Sequence, residues 1–186
     1  MSDEPGGWGA LDALPGNPMI WILIMSELLV FGGALVGFAG ARIADPETFA
    51  ASQASLDRLV GTINTAVLLT SGWFAALAVA SAKQGVVAGV RWRLAAAGVL
   101  GLVFLAIKIM EYAEKASAGI GLETNTFFTL YFLITGFHLA HVVFGLGLLA
   151  IVAVSARTET VETGAAFWHM VDLVWVLIFP VIYLVR

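Results

Sequence analysis

Seven ionisable side chains lie within the apolar part of this sequence, and their chemistry is the first thing to explain. They are Glu27, Lys108, Glu111, His138, His141, His169 and Asp172. The last six form three successive pairs, and the partners of each pair are three positions apart. Side chains three apart share a face of an α-helix, so each pair can make an internal contact. At membrane depth such residues are costly, and function is the first hypothesis for them.

Proton chemistry or charge pairing would explain the carboxylates and the lysine. The spacing of Lys108 and Glu111 predicts an intrahelical ion pair near a helix end, with the lysine stem extending toward the membrane interface. Glu27 has no opposite charge in its own helix. Two alternatives stay open for it: a contact with Lys108 of another helix, or a protonated carboxyl that bonds to serine or backbone within the bundle.

Metal or haem binding would explain the histidines. A transmembrane b-type haem needs two opposed axial ligands, and His138 with His169 could supply them. In the alternative, the imidazoles hydrogen-bond across helices, Asp172 orients His169, and Gly136 and Gly145 allow the helices to approach closely. Three histidines with few further ligands are a weak basis for a metal or haem site. Hydrogen bonding across helices is therefore the favoured interpretation, and no metal ligand is assigned.

Long apolar segments must position these residues. The composition is 60% hydrophobic and 12% charged, and the mean hydropathy is +0.95. Apolar runs at 19–41, 61–82, 92–113, 126–155 and 166–185 each approach or exceed the roughly 20 residues that a membrane-crossing helix needs. The sequence therefore predicts an all-α fold, an integral membrane bundle of five transmembrane helices over 19–186, preceded by a short tail at 1–18.

Several functions are excluded or left unsupported by the rest of the sequence. The chain has no cysteine, so thiolate chemistry and iron–sulfur clusters are excluded. No phosphate loop or nucleotide fingerprint occurs, and no nucleic-acid partner is expected. Lysine and arginine divide evenly between the two faces, so the prediction of a cytoplasmic N-terminus rests on a small difference in acidic residues. The tryptophans are expected near span ends, and Gly32 and Gly33 on a packing surface.

Five motifs in order resemble one family along nearly the whole chain. They are "SELLVFGG", "NTAVLLTSGW", "FLAIKIMEY", "FFTLYFLITGFHLAHVVFGLGLL" and "FWHMVDLVWVLIFPVIYL". The pattern is similar to subunit III of the haem–copper oxidase superfamily, and the last two motifs carry most of the specificity. The chain resembles the short five-helix form, which lacks the first two of seven helices and occurs in bacterial quinol oxidases and in NorE-type proteins linked to nitric oxide reductase. Its opening "PGNPMIWILIMSELLVFG" looks closer to the NorE type.

The resemblance implies a subunit that binds no haem or copper itself. It would pack beside a haem-containing catalytic subunit I-like protein and other subunits, with haem and copper or non-haem iron in the partner and with structural phospholipid as a further ligand. Glu27 would match the family's membrane-buried, carbodiimide-reactive glutamate, and the other polar residues would match polar positions of its bundle. Loss of two helices removes the cleft that normally holds the lipid. A bacterial cytoplasmic membrane location is expected.

Three function classes follow from these observations. The favoured one is a non-catalytic accessory subunit, without an active site of its own, that stabilises its partner and supports proton uptake in aerobic or denitrifying respiration. The second is a small membrane b-type cytochrome that uses His138, His141 or His169. The third is a proton-coupled carrier that uses Glu27, Lys108 and Glu111.

Overall fold

The fold, in a computed structural model that describes residues 17–185, consists of α-helices joined by short connections. The helices are α1 (Pro18–Ala44), α2 (Pro46–Ala54), α3 (Arg58–Lys83), α4 (Val87–Ser117), α5 (Thr126–Ser155) and α6 (Thr158–Phe179), which continues into a π-helical turn (Pro180–Leu184). All except α2 and the π-helical turn are long and apolar enough to cross a membrane. The predicted class, an all-α multi-pass membrane protein with five long helices, is confirmed.

Local signals in the sequence set the helix ends. The side chains of Asn17, Asp57 and Asn125 accept hydrogen bonds from the first free backbone N–H groups of α1, α3 and α5. Gly85 and Gly119 follow α3 and α4 with φ of +72° and +74°, a conformation in which a Cβ would be strained. Helices α3 and α4 are longer than the apolar runs 61–82 and 92–113, which mark only their hydrophobic parts.

Helix α2 was not predicted from the sequence. Its nine residues have one large apolar side chain, Phe49, which is 1% exposed and packs against Phe38 of α1 and Phe127 of α5 at 5.2 and 5.4 Å between ring centroids. The amide of Gln53 also donates to the carbonyls of Ile182 and Val185 at 2.8 and 2.9 Å. A short helix with one large apolar residue shows little hydrophobic periodicity, so its sequence looks like a polar connection between two spans.

Helix α6 lies at the centre of the bundle and α1 at its periphery. Of the most apolar 18 residues in each span, 61% are buried for the last span and 11% for the first. Helix α6 packs between α3 and α5, α4 closes the group against both of those helices, and α1 lies outside against α5 and α6. The buried residues Lys108, Glu111, His138 and Asp172 therefore lie on the four helices α3 to α6, while most of α1 is exposed.

Two tryptophans of α6 lie in the core of the bundle and not at its surface. Trp168 and Trp175 are fully buried, and their indole N–H groups donate to Ser71 Oγ and Thr65 Oγ1 of α3 at 3.0 and 2.9 Å. A hydroxyl on a facing helix satisfies the one polar atom of each ring, so the interior can accept them. Trp8 of the same set lies outside the described residues, whereas Trp73 and Trp92 are exposed.

Candidate functional site

A network around Lys108 joins the end of α4 to α5 and to the π-helical turn. Lys108 is 1% exposed, and its Nζ donates to Glu111 Oε2, Tyr131 OH and Tyr183 OH at 3.1, 3.0 and 2.8 Å. Both tyrosine hydroxyls in turn donate to Glu111 Oε1 at 2.6 Å. An ammonium has three N–H donors, and all three are used here. The network is therefore closed and holds no free donor with which Lys108 could bind a ligand.

Aromatic rings complete the surroundings of the Lys108 ammonium. The faces of Tyr112 and Trp175 lie 5.2 and 5.4 Å from Nζ, within the range of cation–π attraction. We predicted from the sequence that the Lys108 stem extends toward the membrane interface, but the side chain is buried. It stays in the bundle, because Tyr131 and Tyr183 supply oxygens there, and the spacing of Lys108 and Glu111 alone gives no sign of either tyrosine.

Glu27 and His141 form a second polar pair, between α1 and α5. His141 Nε2 lies 3.2 Å from Glu27 Oε2, and His141 Nδ1 lies 2.9 Å from the Phe137 carbonyl oxygen. A carbonyl can only accept, so Nδ1 carries a proton. In a neutral ring Nε2 is then an acceptor that faces another acceptor. The contact is attractive only if the pair holds one more proton, on the imidazole or on the carboxyl.

The Glu27–His141 pair is accessible at the edge of the bundle. The Glu27 and His141 side chains are 23% and 14% exposed and line a shallow cleft of about 200 Å³, together with Leu23, Phe144 and Phe167. The sequence left open a contact between Glu27 and Lys108, and the structure shows instead that Glu27 contacts His141. The pair therefore lies at the surface of the chain, beside an open cleft.

His138 and His141 do not act together despite their spacing. Positions three apart are about 60° apart around a helix, so the two rings meet different neighbours. His138 is 0% exposed and lies among the rings of Phe31, Phe104 and Trp175. Neither of its ring nitrogens has a hydrogen-bonding partner among residues 17–185.

His169 and Asp172 form the third pair, on α6. His169 Nδ1 lies 3.6 Å from Asp172 Oδ2, with His169 46% exposed and Asp172 buried against α3. A Cβ on Gly72 would come within 2.1 Å of that oxygen, so only glycine leaves room for the carboxyl. His169 also lines a cleft of about 410 Å³ between α1, α3 and α6, whose polar end is the Lys83–Glu162 ion pair at 3.0 Å.

The predicted packing glycines differ in how closely other residues approach them. A Cβ on Gly145 would meet the Trp168 ring at 2.8 Å, and one on Gly136 would meet only the Tyr112 hydroxyl, at 3.9 Å. No atom of the described residues lies within 4 Å of a Cβ built on Gly32 or Gly33. Gly145 therefore serves packing inside the chain, whereas Gly32 and Gly33 leave a narrow, uncovered strip on α1.

Fold and site together define a class of protein: a multi-pass helical membrane protein whose buried charges contact one another. Among residues 17–185, no group of three or more His, Cys, Asp or Glu side chains has the arrangement of a metal site. His138 and His169 have different neighbours, so they do not form the pair of axial ligands that the disfavoured haem alternative requires. His138 faces three aromatic rings, and His169 faces the α1–α3–α6 cleft.

Comparison with known proteins identifies the family. Residues 17–185 match cytochrome c oxidase subunit III, and the chain belongs to that family. Cytochrome c oxidase subunit 3 of Thermostichus vulcanus is 30% identical over 174 residues, which cover 88% of this chain and 84% of that protein. The probable cytochrome c oxidase subunit 3 of Mycobacterium tuberculosis is 28% identical over 176 residues, with 90% and 86% covered.

A fused relative provides further information. The haem–copper oxidase subunit I+III of Aeropyrum pernix is 29% identical over 187 residues, which cover 89% of this chain and 22% of that protein. The resemblance to subunit III is therefore confirmed. These relatives have oxidase names, and the expected closeness to the NorE type stays a prediction.

Proposed function

We propose that this chain is a non-catalytic accessory subunit of a haem–copper oxidase superfamily complex. The observation that carries the proposal is the match to subunit III over 17–185 in a chain whose buried Lys108 has every donor engaged internally. The charged groups of the Lys108 network contact one another, which supports a structural role for that network. The oxidation–reduction chemistry would then belong to haem and copper, or non-haem iron, in another subunit.

The proposed partner is a catalytic subunit I-like chain. In the relative from Aeropyrum pernix, a subunit I and a subunit III form one polypeptide, which favours direct contact between the corresponding chains here. Helix α1 offers a surface for it, since only 11% of its span is buried and Gly32 and Gly33 are uncovered. The names of the relatives favour an oxygen-reducing partner over one that reduces nitric oxide.

The proposed contribution to the partner has two parts, structural support and proton supply. The Lys108 network holds α4, α5 and the π-helical turn together, and so supports the surface on which a larger subunit would pack. The Glu27–His141 pair lies on the α1 side in a shallow open cleft, and its 3.2 Å contact is attractive when the two side chains share a proton. We place its role in proton uptake at the partner's surface.

Membrane lipid is the other proposed ligand. The cleft between α1, α3 and α6 has mostly apolar walls and ends at Lys83 and Glu162, which suits an acyl chain with its headgroup at the membrane surface. We place the protein in the bacterial cytoplasmic membrane with its N-terminus on the cytoplasmic side.

The test is to delete the gene in its native host and purify the complex that remains. The accessory role predicts that the partner keeps its haem spectrum, while its steady-state activity or its lifetime under turnover decreases. Loss of haem assembly or of electron transfer altogether would contradict the proposal. A Soret band that stays with the isolated chain would favour the b-type cytochrome instead. Substrate transport by the isolated chain in liposomes, lost in Glu27→Gln, would favour the carrier.

A further inference from the structure

His138 presents a hydrogen-bonding deficit at the centre of the bundle. Its side chain is 0% exposed, and neither Nδ1 nor Nε2 has a partner among the described residues. A neutral imidazole has one donor and one acceptor, and leaving both unpaired in a protein interior is costly. Native structures almost always satisfy such groups, with protein atoms or with ordered water.

The neighbours of His138 cannot supply the missing bonds. Phe31 and Phe104 meet the ring at centroid distances of 6.3 and 5.7 Å, and Trp175 stacks on it at 5.2 Å. The Trp175 indole N–H already donates to Thr65 Oγ1 at 2.9 Å. The nearby Lys108 ammonium, over the same Trp175 ring, has all three donors engaged. The partner of His138 therefore lies outside the described residues.

Asn64 of α3 has a matching deficit. It is 1% exposed, its Nδ2 donates to the Phe104 carbonyl at 3.3 Å, and its Oδ1 has no partner among residues 17–185. Phe104 of α4 therefore contacts both residues, through its carbonyl for Asn64 and through its ring for His138. Between them the two side chains leave three buried atoms without any partner, and for a neutral His138 these are two acceptors and one donor.

We propose that the core of the bundle binds internal water at His138 and Asn64. A water molecule has two donors and can accept two hydrogen bonds, so one or two molecules complement this set, and an internal water normally has two to four polar partners. Water is neutral, and it adds no uncompensated charge to the interior. Because His138 is fully buried, the bound water belongs to this chain and not to an interface.

The proposed water has neighbours in common with both polar clusters. Trp175 contacts both the Lys108 ammonium, at 5.4 Å, and the His138 ring. Phe31 contacts the rings of both His138 and His141, the partner of Glu27. A molecule that exchanges protons would thus lie beside rings that also contact Lys108 and His141. The water site is a property of this fold and holds whether or not the accessory role is correct.

Solid-state NMR of the full chain in lipid bilayers tests the site directly. The sequence has three histidines, so selective ¹⁵N labelling of histidine gives few ring signals, and His138→Phe identifies one of them. We expect rapid magnetisation transfer from water to the His138 ring, and additional ¹⁵N labelling of glycine gives a reference in the exposed connections at Gly85 and Gly119. Transfer that reaches these glycine amides but not the His138 ring would overturn the proposal. Val142→Ala, a buried apolar position one turn along α5, should leave the transfer intact.

Thermal unfolding gives a second, independent result. Asn64→Leu removes a polar partner of the proposed water and leaves His138 itself unchanged. Loss of the water should then weaken the magnetisation transfer to His138 and lower the unfolding midpoint by about 2–6 °C. If no water binds, Asn64→Leu removes a costly unpaired oxygen, leaves the transfer unchanged and raises the midpoint. That pattern would also overturn the proposal.

Discussion

At the scale of single residues, Lys108 keeps its charge inside the bundle because each of its N–H groups has an oxygen acceptor. Removing one member of a buried ion pair leaves the other uncompensated, which typically costs about 3–5 kcal/mol. We therefore expect Lys108→Met to destabilise the chain by that amount, measured by unfolding in detergent. Lys83→Met removes an exposed lysine from its pair with Glu162, and should cost at most about 1 kcal/mol.

Restoring the balance of charge checks the reason for that loss. Glu111 is the group left unpaired in Lys108→Met, so the double variant with Glu111→Leu should recover a large part of the lost stability. A Lys108→Met variant as stable as Lys83→Met would show that the network does not hold the bundle together.

The Glu27–His141 pair leads to a prediction about a single proton. In Glu27→Gln the amide N–H can donate to His141 Nε2 without any added proton, so stability should change by less than about 1 kcal/mol. Glu27→Leu removes the partner and should cost about 1–2 kcal/mol. Infrared difference spectroscopy across pH should lose a carboxyl or imidazole signal in both variants. An unchanged spectrum in Glu27→Gln would mean that the pair does not exchange a proton.

At the scale of helices, the position of Trp168 depends on two glycines on neighbouring helices. A Cβ on Gly101 of α4 or Gly145 of α5 would come within 2.8 Å of the indole ring. The absence of a side chain at both positions lets α6 approach α4 and α5 closely enough to bury the whole ring. The central place of α6 thus follows from small residues on its neighbours as much as from its own apolar surface.

Gly145→Ala should therefore separate α5 from α6. Overpacking of this kind costs about 1–3 kcal/mol, which unfolding in detergent would detect. Gly147→Ala, two residues further along α5, has no atom within 4 Å of the new Cβ. It should be neutral or stabilise the helix by up to about 1 kcal/mol, because alanine favours helix more than glycine does. Equal effects at the two positions would contradict the packing argument.

At the scale of the whole molecule, the sequence predicts the five long helices because length and hydropathy alone decide membrane crossing. The spacing of Lys108 with Glu111 and of His169 with Asp172 anticipates their contacts at 3.1 and 3.6 Å, since neighbours within a helix need no knowledge of the fold. The rest depends on how the helices are rotated about their axes. Contacts of Lys108 with Tyr131 and Tyr183, and of Glu27 with His141, join distant parts of the chain and have no local sequence signal.

Helix α1 presents an exposed surface around Gly33 on which a partner subunit can pack. Gly33 is exposed and a Cβ there would touch no atom of the described residues, so a larger side chain should leave the isolated chain as stable as before. If a haem-containing subunit packs on this surface, Gly33→Leu prevents close approach of its helices and should reduce its co-purification at least severalfold. Gly147→Leu places the same bulk on an exposed position of α5 and serves as the control. The haem content recovered per mole of this chain measures both. Full recovery with Gly33→Leu, together with loss in Gly147→Leu, would move the interface from α1 to α5.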